Sequence, residues 1–105
     1  MPEYVIIEKY QLDWPLQFQG IAQLLRAELA EIATRIDHIG STSIPGLDAK
    51  PIIDIQISVR SFEPFDVIRN PLERCGFCWR SDNLDITKRY FREAPGNRRT
   101  HVHVR

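Results

Sequence analysis

Apolar positions follow two rhythms along the chain. Between Asp13 and Ala33, Phe18, Ile21, Leu25, Leu29 and Ile32 recur every three or four residues, with Ala22 and Leu24 widening the stripe, as on a helix with one apolar face. Asp13 is a plausible cap for that helix, and Pro15 is tolerated in its first turn. Shorter runs rich in Ile, Val and aromatic residues predict strands at Tyr4 to Glu8, Arg35 to Ile39, Pro51 to Val59, Phe77 to Arg80, Lys88 to Glu93 and Thr100 to Val104. Pro51 to Val59 is the most apolar of these and reads as a central strand covered on both faces. Ser61 to Cys75 reads as a second helix, with Pro64 in its first turn, Gly76 as terminator and Pro71 expected to interrupt or kink it. The turn-rich Ser81-Asp82-Asn83 and Pro95-Gly96-Asn97 make the last three strands an antiparallel meander. The sum is an α+β fold with one mixed sheet and helices packed chiefly on one face.

At 105 residues, 43% hydrophobic and 27% charged, the chain has the composition of one globular domain. No apolar run approaches the roughly 20 residues that span a bilayer, and the N-terminus lacks a basic region followed by a hydrophobic one. A cytoplasmic protein without a membrane partner is the expectation. The net charge of zero hides an offset, with seven basic and eleven acidic side chains in residues 1–79 against seven and three in residues 80–105. Arg80, Lys88, Arg89, Arg92, Arg98 and Arg99 could form a basic rim that attracts phosphate, or simply a solvated hairpin face. No helix rich in Lys and Arg is evident, so nucleic acid is not the expected partner.

Chemistry concentrates in His38 to Gln56, HIGSTSIPGLDAKPIIDIQ, where a Gly-Ser turn sits between two strands. Gly40 lets a ligand approach the main chain, while Ser41, Thr42 and Ser43 offer hydroxyls and free N–H groups to an anion. Lys50, at the strand entrance, could balance ligand phosphate. Asp54 lies within an Ile-rich strand, where a carboxylate needs a cation, hydrogen-bond donors or a solvent cleft, or a salt bridge to Lys50 or a late arginine. His101 and His103 alternate around Val102 and point to one side, where they could bind metal or phosphate, transfer a proton, or face solvent. Tyr90 and Phe91 point to opposite faces, so one is free to stack on a base. Cys75-Gly76-Phe77-Cys78 falls at a helix end rather than a helix start, which favours two reduced, largely structural thiols over a redox pair.

Gly40-Ser41 followed by Asp54-Ile55 resembles the nucleotidyltransferase signature, and HIGSTSIPGLDAKPIIDI closely resembles the GrpB-like family. Tyr10, Trp14, Phe18, Gly76-Phe77 and the terminal HVHV extend the resemblance over nearly the whole chain. It implies a nucleotidyltransferase-like mixed sheet with a nucleotide-type cleft, and a last strand beside that of Asp54. Asp54, His101 and His103 would then be catalytic. Gly40, Ser41, Thr42, Ser43, Lys50, Arg89 and Arg92 would bind phosphate, and Asp54, Gln56, His101 and His103 would hold Mg²⁺, Mn²⁺ or Zn²⁺. One position departs from the pattern: Gln56 stands where a second carboxylate would help hold two metals. The implied activity is metal-dependent nucleotidyl or phosphoryl transfer from a nucleoside triphosphate. The alternative is a non-catalytic nucleotide-binding or protein-interaction module related to coenzyme A metabolism, since some family members are fused to dephospho-coenzyme A kinases. The family usually continues past its HxH strand with helices, so an end at Arg105 implies a single domain lacking that part, and uncovered apolar surface could then drive homodimer formation.

Overall fold

The computed structural model describes residues 6–105. Its five strands are β1 (Arg35–Ile39), β2 (Ile53–Ser58), β3 (Phe77–Trp79), β4 (Arg89–Glu93) and β5 (Thr100–Val104), arranged β1-β2-β5-β4-β3. β2 and β5 run parallel and each other neighbouring pair is antiparallel, so the sheet is mixed and the last three strands form the expected meander. Two helices, α1 (Asp13–Leu29) and α2 (Asp66–Arg74), complete the α+β architecture.

Both helices cover the same face. Ile53, Ile55 and Ile57 of β2, Val102 and Val104 of β5, Phe91 of β4 and Phe77 of β3 form one core with Trp14, Leu25 and Leu29 of α1 and Ile68 and Leu72 of α2. Burying each such side chain stabilises the fold by roughly 1.5–3 kcal/mol. The period-two alternation of a strand leaves the other side of β2 to Asp54, Gln56 and Ser58, which are only half-buried. β2 is thus interior in strand order but covered on one face, not two. The two faces of this sheet set the division of labour in the molecule.

Several boundaries differ from expectation. Helix α1 begins at Asp13, whose carboxylate accepts from Gln17 within the first turn rather than capping the backbone. It ends at Leu29 and passes into a 3-10 turn, Ala30–Ile32, with Ala30 at φ 49° and Arg26 donating to the Ala30 carbonyl at 2.8 Å. Leu24 and Ile32 fall outside its buried stripe and are exposed. α2 starts at Asp66, after Pro64, and continues through Pro71 to Arg74; Pro71 lacks an N–H, but it and Leu72 are buried in the core, and that packing offsets the missing bond. Of the N-terminal strand, Tyr4 and Val5 lie outside the described residues, and Glu8 makes only an isolated antiparallel bridge with Ala49, at 2.8 and 2.9 Å.

Cys75 and Cys78 are both free. Cys75, at the C-terminal end of α2, donates to the Leu24 carbonyl at 3.8 Å and is half-buried, and that burial pushes its thiol pKa up. Cys78 is exposed on the uncovered face, so only Cys75 matches the structural reading.

Candidate functional site

Strand register lays the uncovered face out as two rows. Directly paired residues share a face, so one row runs Ile39, Asp54, His101, Arg92, Cys78 and the other Asp37, Gln56, His103, Tyr90. Asp54 therefore meets both histidines, which the HxH spacing put on one side of a strand and the family resemblance put beside Asp54. His103 Nε2 lies 3.3 Å and His101 Nδ1 3.5 Å from Asp54 Oδ1. Lys88 Nζ approaches the other nitrogen of His103 at 3.0 Å, which leaves His103 Nε2 to donate to Asp54. Burial works to raise the Asp54 pKa, but the hydrogen bonds and charges of His101 and His103 together outweigh it and hold the carboxyl down at about 2. His101 and His103 are thus groups that pair with the Asp54 carboxylate.

Gly40 brings the Gly-Ser turn against this carboxylate. It has φ 74°, and a Cβ built there would stand 2.8 Å from Asp54 Oδ2, so both conformation and space require glycine. The residues after it divide into scaffold and cleft. Thr42 is buried; its hydroxyl donates to the Ile52 carbonyl at 3.1 Å and meets His38 Nε2 at 3.0 Å. That geometry makes His38 the donor to Thr42. Burial lowers the His38 pKa against the opposing charge of Asp54, and its ring stacks on Phe18 at 4.9 Å. Ser43 donates its hydroxyl to the Gly40 carbonyl at 2.5 Å. Thr42 and Ser43 thus have their hydroxyls engaged in building the turn, whereas Ser41 is exposed and lines the cleft.

The cleft has a volume of about 440 Å³ and is lined by Ser41, Asp48, Lys50, Ile52, Asp54 and His101, among others. Asp48 is a lining residue that the sequence reading passed over; its carboxylate also accepts from the Tyr10 N–H at 3.2 Å, a contact 38 residues distant that no local spacing signals. Arg89 is not part of this assembly. It pairs with Val104 on the helix-covered side and rests over the Phe62 ring at 4.2 Å. Arg92 is on the open face beside His101.

The donor set suits one kind of cation better than another. Among the described residues, no group of three or more His, Cys, Asp or Glu side chains is placed to hold an ion. Both histidines are directed at Asp54 rather than around a shared centre, and Gln56 adds no charge. A Mg²⁺ that arrives with ligand phosphates needs only one or two carboxylates from the protein, and Asp54 could serve as one.

Residues 4–105 match the family model described as GrpB protein. The chain belongs to the GrpB family. A crystal structure of conserved protein GrpB from Enterococcus faecalis superposes with a TM-score of 0.85 at 39% identity, over 94% of this chain and 60% of that one. The fold is thus the GrpB fold, consistent with a nucleotidyltransferase-like sheet. UPF0157 protein PA4798 of Pseudomonas aeruginosa is 38% identical over 87% of this chain and 39% of its own length. UPF0157 protein YqkA of Bacillus subtilis is 38% identical over 90% of this chain and 28% of its own. The chain therefore spans less than two fifths of these curated relatives. A dephospho-CoA kinase of Mycolicibacterium paratuberculosis contains a region 41% identical to 62% of this GrpB chain, amounting to 17% of the kinase. Among the described residues no helix is long and apolar enough to cross a membrane.

Proposed function

We propose that the cleft binds a nucleotide or related phosphorylated small molecule in the cytoplasm, and that Asp54 receives the divalent cation accompanying it in a nucleotidyl- or phosphoryl-transfer reaction. The observation that carries this reading is the ionised Asp54 carboxylate beneath a glycine turn, with Ser41 and Lys50 on the walls of the same cleft. In this reading Lys50 places a positive charge against phosphate, the Ser41 hydroxyl donates to a phosphate oxygen, and the bare Gly40 backbone admits the ligand close to Asp54. His101 and His103 hold Asp54 in its charged form and fixed orientation. The cation, when bound, would neutralise phosphate charge. The kinase relative adds weight, because a protein named for a nucleotide-containing substrate carries a similar segment.

A second reading, nucleotide binding without turnover, is favoured by Gln56, which leaves the face without the second carboxylate of a two-metal site. Titration calorimetry with ATP, GTP, CTP and UTP, with and without Mg²⁺ or Mn²⁺, tests the shared part. The expected result is cation-dependent binding of at least one nucleotide, weakened at least tenfold in Asp54→Asn. ³¹P NMR of the bound nucleotide then separates turnover from binding alone. A folded wild-type chain that binds none of the four, or binds them equally well in Asp54→Asn, would overturn the proposal.

A further inference from the structure

The rows of the open face continue past the imidazoles to a pair of arginines. Arg92 of β4 stands beside His101 in the first row. Arg80 follows Tyr90 in the second, joined to it by an Arg80 N–H to Tyr90 carbonyl bond of 2.8 Å just beyond β3. At about 4.8 Å per strand, Arg92 and Arg80 lie two and three strands from Asp54, roughly 10 and 15 Å across the face. Their guanidinium groups are under-used for groups with five N–H donors each. Among the described residues, Arg92 reaches Glu93 at 3.3 and 3.5 Å through Nη2, and its Nε is buried with no hydrogen-bond partner. Arg80 Nε stands 3.5 Å from Asp82, itself 75% exposed.

The same two arginines line two neighbouring recesses. One, of about 360 Å³, is bounded by Arg80, Arg92, Arg99 and the turn through Gly96 and Asn97. The other, of about 490 Å³, is bounded by Arg80, Asn83, Asp85, Tyr90 and Arg92. Tyr90 lies between His103 and Arg80 in the second row, its ring 5.7 Å from that of His101 and 5.2 Å from that of His103. The face therefore passes from carboxylates on β1 and β2, through aromatic rings on β5 and β4, to guanidinium groups on β4 and at the end of β3.

We propose that Arg80 and Arg92 form a second anion subsite, and that the ligand is one molecule with two separated anionic groups and a planar part. One group lies over Gly40 to Lys50, the other on the arginines, and the planar part rests on Tyr90. Guanidinium forks match phosphate bidentately, which suits a bisphosphorylated nucleoside better than a simple monophosphate. The proposal extends the cleft reading given above and rests on it for the first anionic group.

Calorimetry in Mg²⁺ with adenosine 5′-monophosphate and adenosine 3′,5′-bisphosphate as probes tests it on the wild type, Arg92→Gln, Arg80→Gln and Lys50→Ala. The bisphosphate should bind at least tenfold more tightly than the monophosphate. Each arginine variant should remove most of that gain while changing monophosphate affinity by less than twofold, whereas Lys50→Ala should weaken both probes. Arg80 is exposed, so its variant keeps the test sound should Arg92→Gln fold poorly. In parallel, the Arg92 Nε–H resonance should move on adding the bisphosphate and stay in place with the monophosphate. Monophosphate binding with no gain from the second phosphate would overturn the subsite and leave the cleft reading standing. An Arg92 shift with the bisphosphate while the monophosphate fails to bind would sink the cleft reading, and the two-ended ligand with it.

Discussion

The two faces of the sheet are made from the same strands, one residue out of step, and they do opposite things. Ile53, Ile55 and Ile57 enter a dry core with α1 and α2, whereas Asp54 and Gln56, between them, face an uncovered surface with His101, His103, Tyr90 and Arg92. The covered face determines whether the chain folds. The open face carries the groups that the proposed binding would use, and its polar groups constrain one another rather than the core. Stability and function should consequently separate by residue parity along β2, β4 and β5.

The largest effect should come from the covered face. Phe91→Ala, at a fully buried ring, is expected to destabilise the fold by about 3–5 kcal/mol, read as the urea midpoint shift. A loss below about 1 kcal/mol would contradict the core assignment. Gly40→Ala comes next and touches both faces of the argument. Gly40 has φ 74° and ψ −171°, a region essentially confined to glycine that costs other residues roughly 1–3 kcal/mol, and the new Cβ would meet Asp54 Oδ2. The expected result is a lowered thermal midpoint together with lost nucleotide binding. A variant of unchanged stability and affinity would show that Asp54 does not lie against this turn. Thr42→Val should cost about 1–3 kcal/mol, because it strands the Ile52 carbonyl and His38 Nε2 inside the turn. Thr42→Ser, which keeps the hydroxyl, should recover most of that loss.

Asp54 itself should show its contribution through pH. Its pKa falls from 3.8 in the unfolded chain to about 2 in the fold, so its ionised form is favoured by folding. That contribution is fully present above about pH 4 and disappears as pH drops towards 2. The stability gap between the wild type and Asp54→Asn, of order 1–2 kcal/mol at pH 6, should therefore close between pH 4 and pH 2 in urea denaturation. A gap that is constant over this window would contradict the imidazole–carboxylate cluster. The smallest effect on folding belongs to Lys50→Ala: Lys50 is exposed, and surface changes of this kind stay within about 0.5 kcal/mol. Its expected signature is weakened nucleotide binding at unchanged stability.

Much of this division was legible in the chain. The helix stripe, the meander and the convergence of His101 and His103 on one side of a strand follow from period alone, and the family resemblance placed that strand beside Asp54 correctly. The apolar density of Pro51 to Val59 misled: the neighbouring Pro51, Ile52 and Val59 masked the strict alternation of Ile with Asp54, Gln56 and Ser58 that marks a strand with one open face. Leu24 lies within the helix but off its buried stripe, and Ile32 continued the apolar spacing past the helix end at Leu29; both are exposed. The hydroxyls of Thr42 and Ser43 could not be told from that of Ser41 in sequence, because their partners, Ile52 and Gly40 carbonyls, exist only once the turn has closed. Arg89 and Arg92 differ in role by strand parity, which became readable only with the bounds and register of β4.

The most direct test of the separation between faces is amide chemical-shift mapping by NMR while Mg²⁺-ATP is added to the wild-type chain. Shifts concentrated at Gly40, Ser41, Lys50, Asp54 and His101, with α1 and α2 unmoved, are what this account predicts. Shifts centred on the exposed residues of either helix, with the open face silent, would contradict it.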